Sequence, residues 1–224
     1  MLTQFRVNNL RFAMLAALAA GFCNLAPAHA DTTAPAAPAQ TGPAIDGFRA
    51  AKFGMTEDQV RGAVQSDFKV SSGAITATEN QLQRTSVLTV QVPNLVPQGG
   101  TATVSYVFGY QSHKLIQVNI VWSPEIDPKT TPMMLYQDGE SLQQYFASEG
   151  FPANRSTGNI ATSNGVLLFR ATDTGGNAVL LILSGTISKN PKDSSTALSP
   201  TTLTLAYAAD ALHPDVFQLA KGSF

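Results

Sequence analysis

Cysteine is almost absent from this chain of 224 residues, and its position keeps it out of most thiol chemistry. Cys23 is the only cysteine, and it lies in an apolar stretch near the amino terminus. Phe22 precedes it, where the lipidated cysteine of a bacterial lipoprotein needs a small residue. We therefore expect Cys23 to leave with a cleaved leader. The mature chain then has no thiol for disulfide bonds, nucleophilic catalysis or metal binding.

Long apolar runs are also missing, and the longest one has the pattern of a secretory signal peptide. Arg6 and Arg11 supply positive charge, residues 12–20 (FAMLAALAA) are apolar, and a small-residue cleavage signal ends at Ala30. The run is shorter than the ~20 residues of a membrane-spanning helix. The sequence predicts a signal peptide at 1–30 cleaved near Ala30, a periplasmic or secreted protein, and no transmembrane segment in the mature chain.

Charge is scarce, at 13% of the residues. Removal of the leader takes away two of the 14 basic residues and none of the 15 acidic ones, so the predicted mature chain has a net charge of −3. A chain without a basic excess lacks the electrostatic attraction that nucleic acids and anionic membranes require. We expect neither as a partner.

Recognisable catalytic and metal-binding patterns are missing as well. Beyond the leader, only His113 and His213 are histidines, and neither has the spacing of a zinc site. Ser66 and Lys69 form an S-x-x-K pair, but its companion sequences S-D-N and K-T-G are absent. We predict no catalytic residues, no metal site, no cofactor and no enzymatic activity. A hydrolase assembled from distant residues remains a less favoured alternative.

The first ordered element is predicted just after an Ala/Pro-rich linker at residues 31–44 (DTTAPAAPAQTGPA). In the stretch GMTEDQV, Thr56 and Gln59 have the spacing of a capping box. Met55 and Val60 have the spacing of a hydrophobic staple. This stretch therefore predicts the start of a helix and not a catalytic loop.

Alternating apolar residues predict strands in both halves of the chain. The strands are expected at Ser86–Val92, Thr101–Tyr110, Lys114–Ser123, Val166–Thr172, Ala178–Ser184 and Thr201–Ala208. Residues 70–83 stay ambiguous, with either a strand at Ala74–Thr78 or a second small helix. A helix is expected at Gly139–Glu149, stopped by Gly150, and a last short helix from Pro214, with Val216, Phe217 and Leu219 packed against the fold.

Helices followed by antiparallel strands predict an α+β fold with the helices packed on one face of a sheet. Each half reads as helix and then strands. We therefore expect two similar units, at residues 45–128 and 129–224, after the leader and the linker.

The helix start at Gly54, Met55, Thr56, Gln59 and Val60, followed by short antiparallel strands, resembles outer-membrane assembly lipoproteins of the SmpA/BamE type. The tandem arrangement resembles the β-lactamase inhibitor protein, which doubles a similar unit. The family's glycine-proline signal after the helix is missing here, and so is its lipid-attachment cysteine. The resemblance implies the fold of these families and does not carry over their function.

The uncharged face of the first three strands is the candidate functional surface. Between Asn80 and Ser123 only Arg84 and Lys114 are charged. An uncharged polar face loses its water cheaply and can still form hydrogen bonds, which suits contact with another protein or with a sugar. The predicted binding residues on this face are Thr89, Gln91, Thr103, Ser105, Gln117 and Asn119.

We therefore expect a non-catalytic, exported protein-interaction module, either an inhibitor or an envelope-assembly accessory, whose partner is another exported or envelope protein. The alternative is a binder of a small apolar or lipid ligand in a cavity between helices and sheet. It rests on Ala178–Ser184 (AVLLILS), which is apolar on both faces and predicts a central strand covered on both sides.

Overall fold

The structure, a computed structural model, describes residues 42–189, 196–219 and 222. The predicted signal peptide and most of the predicted linker lie outside the described residues. The helices are α1 (Glu57–Phe68) and α2 (Pro132–Ser148). The strands are β1 (Gly47–Phe48), β2 (Ala51–Lys52), β3 (Thr76–Asn80), β4 (Thr85–Pro93), β5 (Thr101–Phe108), β6 (Leu115–Trp122), β7 (Ser156–Thr157), β8 (Ile160–Thr162), β9 (Gly165–Thr172), β10 (Ala178–Lys189) and β11 (Thr196–Ala208).

Helix α1 begins where the sequence predicts, and its capping box is present. The backbone N–H of Gln59 donates to the Thr56 hydroxyl at 3.4 Å, and the Thr56 N–H donates to the Gln59 side chain at 2.9 Å. Two of the amide groups at the helix start thus have partners. Val60 and Val64 are fully buried, so one apolar face of α1 packs into the core.

Helix α2 begins seven residues before its predicted start. Thr131 caps it by accepting a hydrogen bond from the Met134 N–H at 3.2 Å, and Pro132 occupies the first helical position, which needs no N–H donor. The end of the helix agrees with the prediction, since Gly150 has the left-handed φ of 81° that a glycine after a helix adopts easily.

The six predicted strands are all present, with differences mainly at their ends. The ambiguous segment contains a short 3-10 turn at Ser72–Ala74 followed by β3. Strands β10 and β11 extend beyond the prediction and pair with each other as far as Lys189 and Thr196. The β1–β2 hairpin and the short strands β7 and β8 were not predicted, because two or three residues are too few to show a period.

The larger sheet has nine strands in the order β3-β4-β5-β6-β11-β10-β9-β7, with β8 also paired to β9. All of its pairs are antiparallel. The strands of the two halves meet at β6 and β11, where Trp122 pairs with Leu203 and Gln117 with Ala208. An antiparallel sheet together with two helices confirms the predicted α+β class.

Both helices pack on one face of this sheet. A single apolar cluster joins Val60 and Val64 of α1 and Leu135 and Phe146 of α2 to alternate residues of the strands. The aromatic residues Tyr106, Phe108 and Trp122 lie in this cluster and are buried. Because strand residues alternate between faces, the residues between these core positions lie on the opposite face, here called the open face.

The predicted last helix is wrong, because residues 214–219 are irregular. Phe217 nevertheless packs against the fold, with its ring 5.5 Å from that of Tyr110 and the Arg84 guanidinium 3.8 Å from its centre. Asp215 accepts hydrogen bonds from the backbone of Gln111 and Ser112. Leu219, predicted to pack against the fold, is 64% exposed. The segment is thus held in place by the Phe217 ring contacts and by the Asp215 carboxylate. Neither interaction requires a helical backbone.

Candidate functional site

The six predicted binding residues lie together on the open face. Strand register pairs Thr89 with Ser105 and Ser105 with Asn119, so these three form a row across β4, β5 and β6. A parallel row contains Gln91 and Thr103. Gln117 lies two residues before Asn119 on β6. Gln91 is exposed and the other five side chains are half-buried.

Hydrogen bonds between neighbouring side chains order part of this surface. The hydroxyls of Thr89 and Ser105 lie 3.3 Å apart, and the Gln117 amide donates to the Asn119 side-chain oxygen at 2.7 Å. Each of these groups can form more than one hydrogen bond, since an amide has two donors and a hydroxyl both donates and accepts. The row therefore keeps donors and acceptors for a second molecule while its side chains hold defined positions.

The open face continues into the second half of the sheet, where it becomes apolar. The row through Asn119 runs on to Ala206 of β11 and Leu180 of β10. The row through Thr103 runs on through Val121, Thr204, Ile182, Leu167 and Ile160. The surface thus changes from uncharged polar to apolar across the β6–β11 junction.

The predicted cover on both faces of Ala178–Ser184 is wrong for the part of the chain that the structure describes. Val179, Leu181 and Leu183 are buried under the helices, whereas Leu180 and Ile182 are only partly buried on the open face. A strand inside a sheet with one open face needs apolar residues on one side only. The second apolar side is therefore a partly buried apolar surface that no described helix covers.

One charged side chain lies in the two rows described above, the Arg170 guanidinium, next to Leu180 across the β9–β10 pair. Surfaces exposed to water usually carry several charged residues, because water solvates them well. Two rows that run from β4 to β9 with a single charge are suited to being covered by another surface.

On the helix side, two cavities lie between α2 and the sheet. The first, of about 290 Å³, is lined by Gln143, Phe146, Phe151, Leu168 and Phe169 among others. The second, of about 360 Å³, lies between the β1–β2 hairpin, the end of α2 and strands β10 and β11. Phe146 and Phe151 line both. The second cavity leaves no signal in the sequence, because one of its walls is the short β1–β2 hairpin.

A buried carboxyl group lies at the other end of α2. Asp138 is 6% exposed, and one of its carboxylate oxygens has no hydrogen-bond partner among the described residues. Burial raises the pKa of Asp138 from its ordinary value of 3.8 to about 6. Nearby, Asp127 accepts hydrogen bonds from the N–H groups of Thr101 and Lys129, which lower its pKa. The surroundings of Asp138 thus favour its neutral form, whereas those of Asp127 favour its ionised form.

Two further features concern only the described residues. None of their helices combines the length and the apolar composition needed to cross a membrane. They also contain no group of three or more histidine, cysteine, aspartate or glutamate side chains placed to hold a metal ion.

Comparison with known proteins gives no relative for this chain. No family model, no curated protein and no solved structure matches it.

Proposed function

We propose that this protein is an exported, non-catalytic interaction module that binds another exported or envelope protein through the open face of its sheet. The observation that carries the proposal is a face that no described helix covers and whose two continuous rows contain a single charged residue, Arg170. The module acts either as an inhibitor of its partner or as an accessory in envelope assembly.

The polar half of the face supports specificity. Uncharged hydroxyl and amide groups cost much less to remove from water than ions, and they regain the loss by hydrogen bonding to a partner. Ser105 and Asn119 lie opposite each other at the middle of this half. A partner that fails to offer matching donors and acceptors leaves these groups unpaired, which costs about 1–3 kcal/mol for each group.

The apolar half supports affinity. Leu167, Leu180 and Ile182 are partly buried, and covering the apolar surface that they still expose gains about 25 cal/mol per Å². Eight strands about 4.8 Å apart span roughly 40 Å, so two or three rows offer roughly 600–800 Å². A standard protein interface buries about 800 Å² of each partner. The whole face, rather than either half, has the size of a stable interface.

The proposed organisation has two similar units, at residues 45–128 and 129–224, each a helix followed by antiparallel strands. The element order supports it, since α1 precedes β3–β6 and α2 precedes β7–β11. The resemblance to the tandem β-lactamase inhibitor protein and to SmpA/BamE-type proteins belongs with this proposal, as do the cleaved leader and the Ala/Pro-rich tether.

A single lysine on the open face tests the proposal. Ser105→Lys places a charge in the proposed contact, and we expect at least a hundredfold loss of partner binding because burying an unpaired ammonium group is costly. Lysine at both Ser105 and Asn119 is a poorer choice, because like charges directly opposite across a strand pair destabilise the sheet. Binding is measured by quantitative capture of the partner from periplasmic extract.

The matched control is Gln144→Lys, which adds the same charge at an exposed position of α2. Capture of one saturable partner by the wild type and by the control, but not by Ser105→Lys, supports the proposal. Equal capture by all three proteins rules out the open face as the contact. Melting temperatures of all three establish that the lysine has not unfolded the sheet.

A second candidate function is the binding of a small apolar or lipid ligand, favoured by the first cavity. Its walls include Phe146, Phe151 and Phe169, and its volume of about 290 Å³ is near the lower end of known ligand pockets. Native mass spectrometry of the purified protein tests this function. A bound molecule that Phe169→Ala releases supports it, and a wild-type mass equal to that of the chain alone contradicts it.

A further inference from the structure

The second cavity is here called the hairpin cleft. It is bounded by Phe48 of β1, by Tyr145, Phe146 and Phe151 at the end of α2, and by Val179 and Tyr207 of the sheet. The Tyr207 ring lies 5.7 Å from Phe48 and 6.3 Å from Phe146. Aromatic walls bind apolar bodies and attract cations to their ring faces.

Two opposite charges face the hairpin cleft without pairing. Arg49 and Glu149 both line it, and neither forms an ion pair with any residue that the structure describes. The other two charges there, Asp46 and Lys52, already pair with each other at 2.9 Å. Among the described residues, the cleft therefore offers one cation and one anion that have no ion-pair partner, beside an aromatic body.

The arginine is held on the α1 side of the cleft by unusual geometry. Its guanidinium lies 5.7 Å from the centre of the Phe48 ring and 4.9 Å from that of Phe68. Its backbone has a φ of 53°, a left-handed conformation that favours glycine, so keeping an arginine here carries a strain cost. The residue after Arg49 is tied to α1, because the Ala50 N–H donates a hydrogen bond to the Asp67 carboxylate.

The anionic side lies at the end of α2. Glu149 directly follows the last helical residue, where the unpaired carbonyl groups of a helix add partial negative charge. Glu149, Tyr145 and Tyr207 line the same side of the cleft together, and burial raises the pKa of Tyr207, with the nearby Tyr145 and Glu149 raising it further. A cation on this side meets a carboxylate, helix carbonyls and aromatic rings.

We propose that the hairpin cleft binds a zwitterionic small molecule with an aromatic body, of the class of aromatic α-amino acids. The ligand carboxylate pairs with Arg49, its ammonium group pairs with Glu149 and the helix end, and its ring packs against Phe146 and Tyr207. The cleft's volume of about 360 Å³ lies within the range of known ligand pockets. This site is separate from the open face and independent of the proposed protein binding.

The test uses three related probes: L-phenylalanine, phenethylamine, which lacks the carboxylate, and 3-phenylpropionate, which lacks the ammonium group. Each is titrated into the purified protein, and backbone amide shifts are followed by NMR. We expect L-phenylalanine to shift residues 43–52 and 145–151 and to bind at least tenfold more tightly than either analogue.

Two charge-removing variants assign the roles. Arg49→Gln should remove the preference for L-phenylalanine over phenethylamine, and Glu149→Gln the preference over 3-phenylpropionate. Arg84→Gln is the matched control, because Arg84 also stacks on an aromatic ring, that of Phe217, but does not line the cleft. It should bind all three probes like the wild type.

Several outcomes would overturn the proposal. The absence of shifts in the cleft at millimolar L-phenylalanine rules out the site. Equal affinities for the three probes rule out recognition of both charges. A loss of preference in Arg84→Gln equal to that in Arg49→Gln shows a general charge effect. Dispersed amide spectra for every variant establish that the fold is retained.

Discussion

At the level of single residues, the ionisation of Asp138 affects the stability of this fold. Its carboxylate is buried beside Gly99, where a side-chain carbon on that glycine would lie only 2.6 Å from a carboxylate oxygen. The Thr130 hydroxyl, also buried, has no partner among the described residues. A charge in this place has little to stabilise it, so the neutral acid is favoured.

The raised pKa of Asp138 predicts that stability falls as the pH rises. Well below pH 3.8 the Asp138 carboxyl is protonated in both the folded and the unfolded state and makes no pH-dependent contribution to stability. Between its ordinary pKa of 3.8 and its folded pKa of about 6, the folded state holds the proton that the unfolded state has lost. By linkage the free energy of unfolding then decreases by on the order of 2–3 kcal/mol over this window.

Asp138→Asn should remove this part of the pH dependence. The measurement is urea unfolding at pH 4.5 and pH 7.5, and the readout is the difference between the two free energies. Glu140→Gln, an exposed neighbour on α2, is the control and should keep the wild-type difference. If Asp138→Asn keeps the wild-type difference between the two free energies of unfolding, Asp138 is solvated and does not cause the pH dependence.

Helix α1 shows what a local signal determines at the scale of an element. Its capping box, its buried valines and its start all agree with the sequence, because capping depends on residues three positions apart. The start of helix α2 was predicted too late, because the signal there is less clear than the capping box of α1. Gly139 interrupts the helical pattern there, although Thr131 and Pro132 already carry a start signal.

Thr56→Ala should destabilise the protein by about 1 kcal/mol, because it removes the hydroxyl that caps Gln59. For a chain of this size the melting temperature should fall by about 2–4 °C. Thr56→Ser keeps the hydroxyl and is the matched control. Calorimetry that gives the two variants the same melting temperature would show that the cap contributes nothing.

The sequence predicts the polar half of the open face, but it does not predict the apolar half or the hairpin cleft. Alternation alone assigns Thr89, Ser105 and Asn119 to one side of their strands, whatever the pairing. Pairing between β6 and β11 joins residues about 80 positions apart, which no local pattern encodes. The apolar continuation through Leu180 and the hairpin cleft both depend on such distant contacts, so neither followed from the sequence.

At the scale of the whole molecule, the shared sheet predicts one cooperative unfolding transition. The β6–β11 pair and a common core join the two halves, so neither half keeps its core when the other unfolds. Trp122, the only tryptophan, lies fully buried at this junction. Tryptophan fluorescence and far-ultraviolet circular dichroism should give the same midpoint, and two separate midpoints would mean that the halves unfold independently.

Site-specific photo-crosslinking in cells tests whether the open face binds the partner. A photoreactive amino acid replaces Thr103 in the polar half, Ile182 in the apolar half, or Gln144 on α2 as a control. We expect positions 103 and 182 to crosslink to the same exported or envelope protein and position 144 not to do so. Crosslinks from neither open-face position, or only to a second copy of this chain, would contradict it.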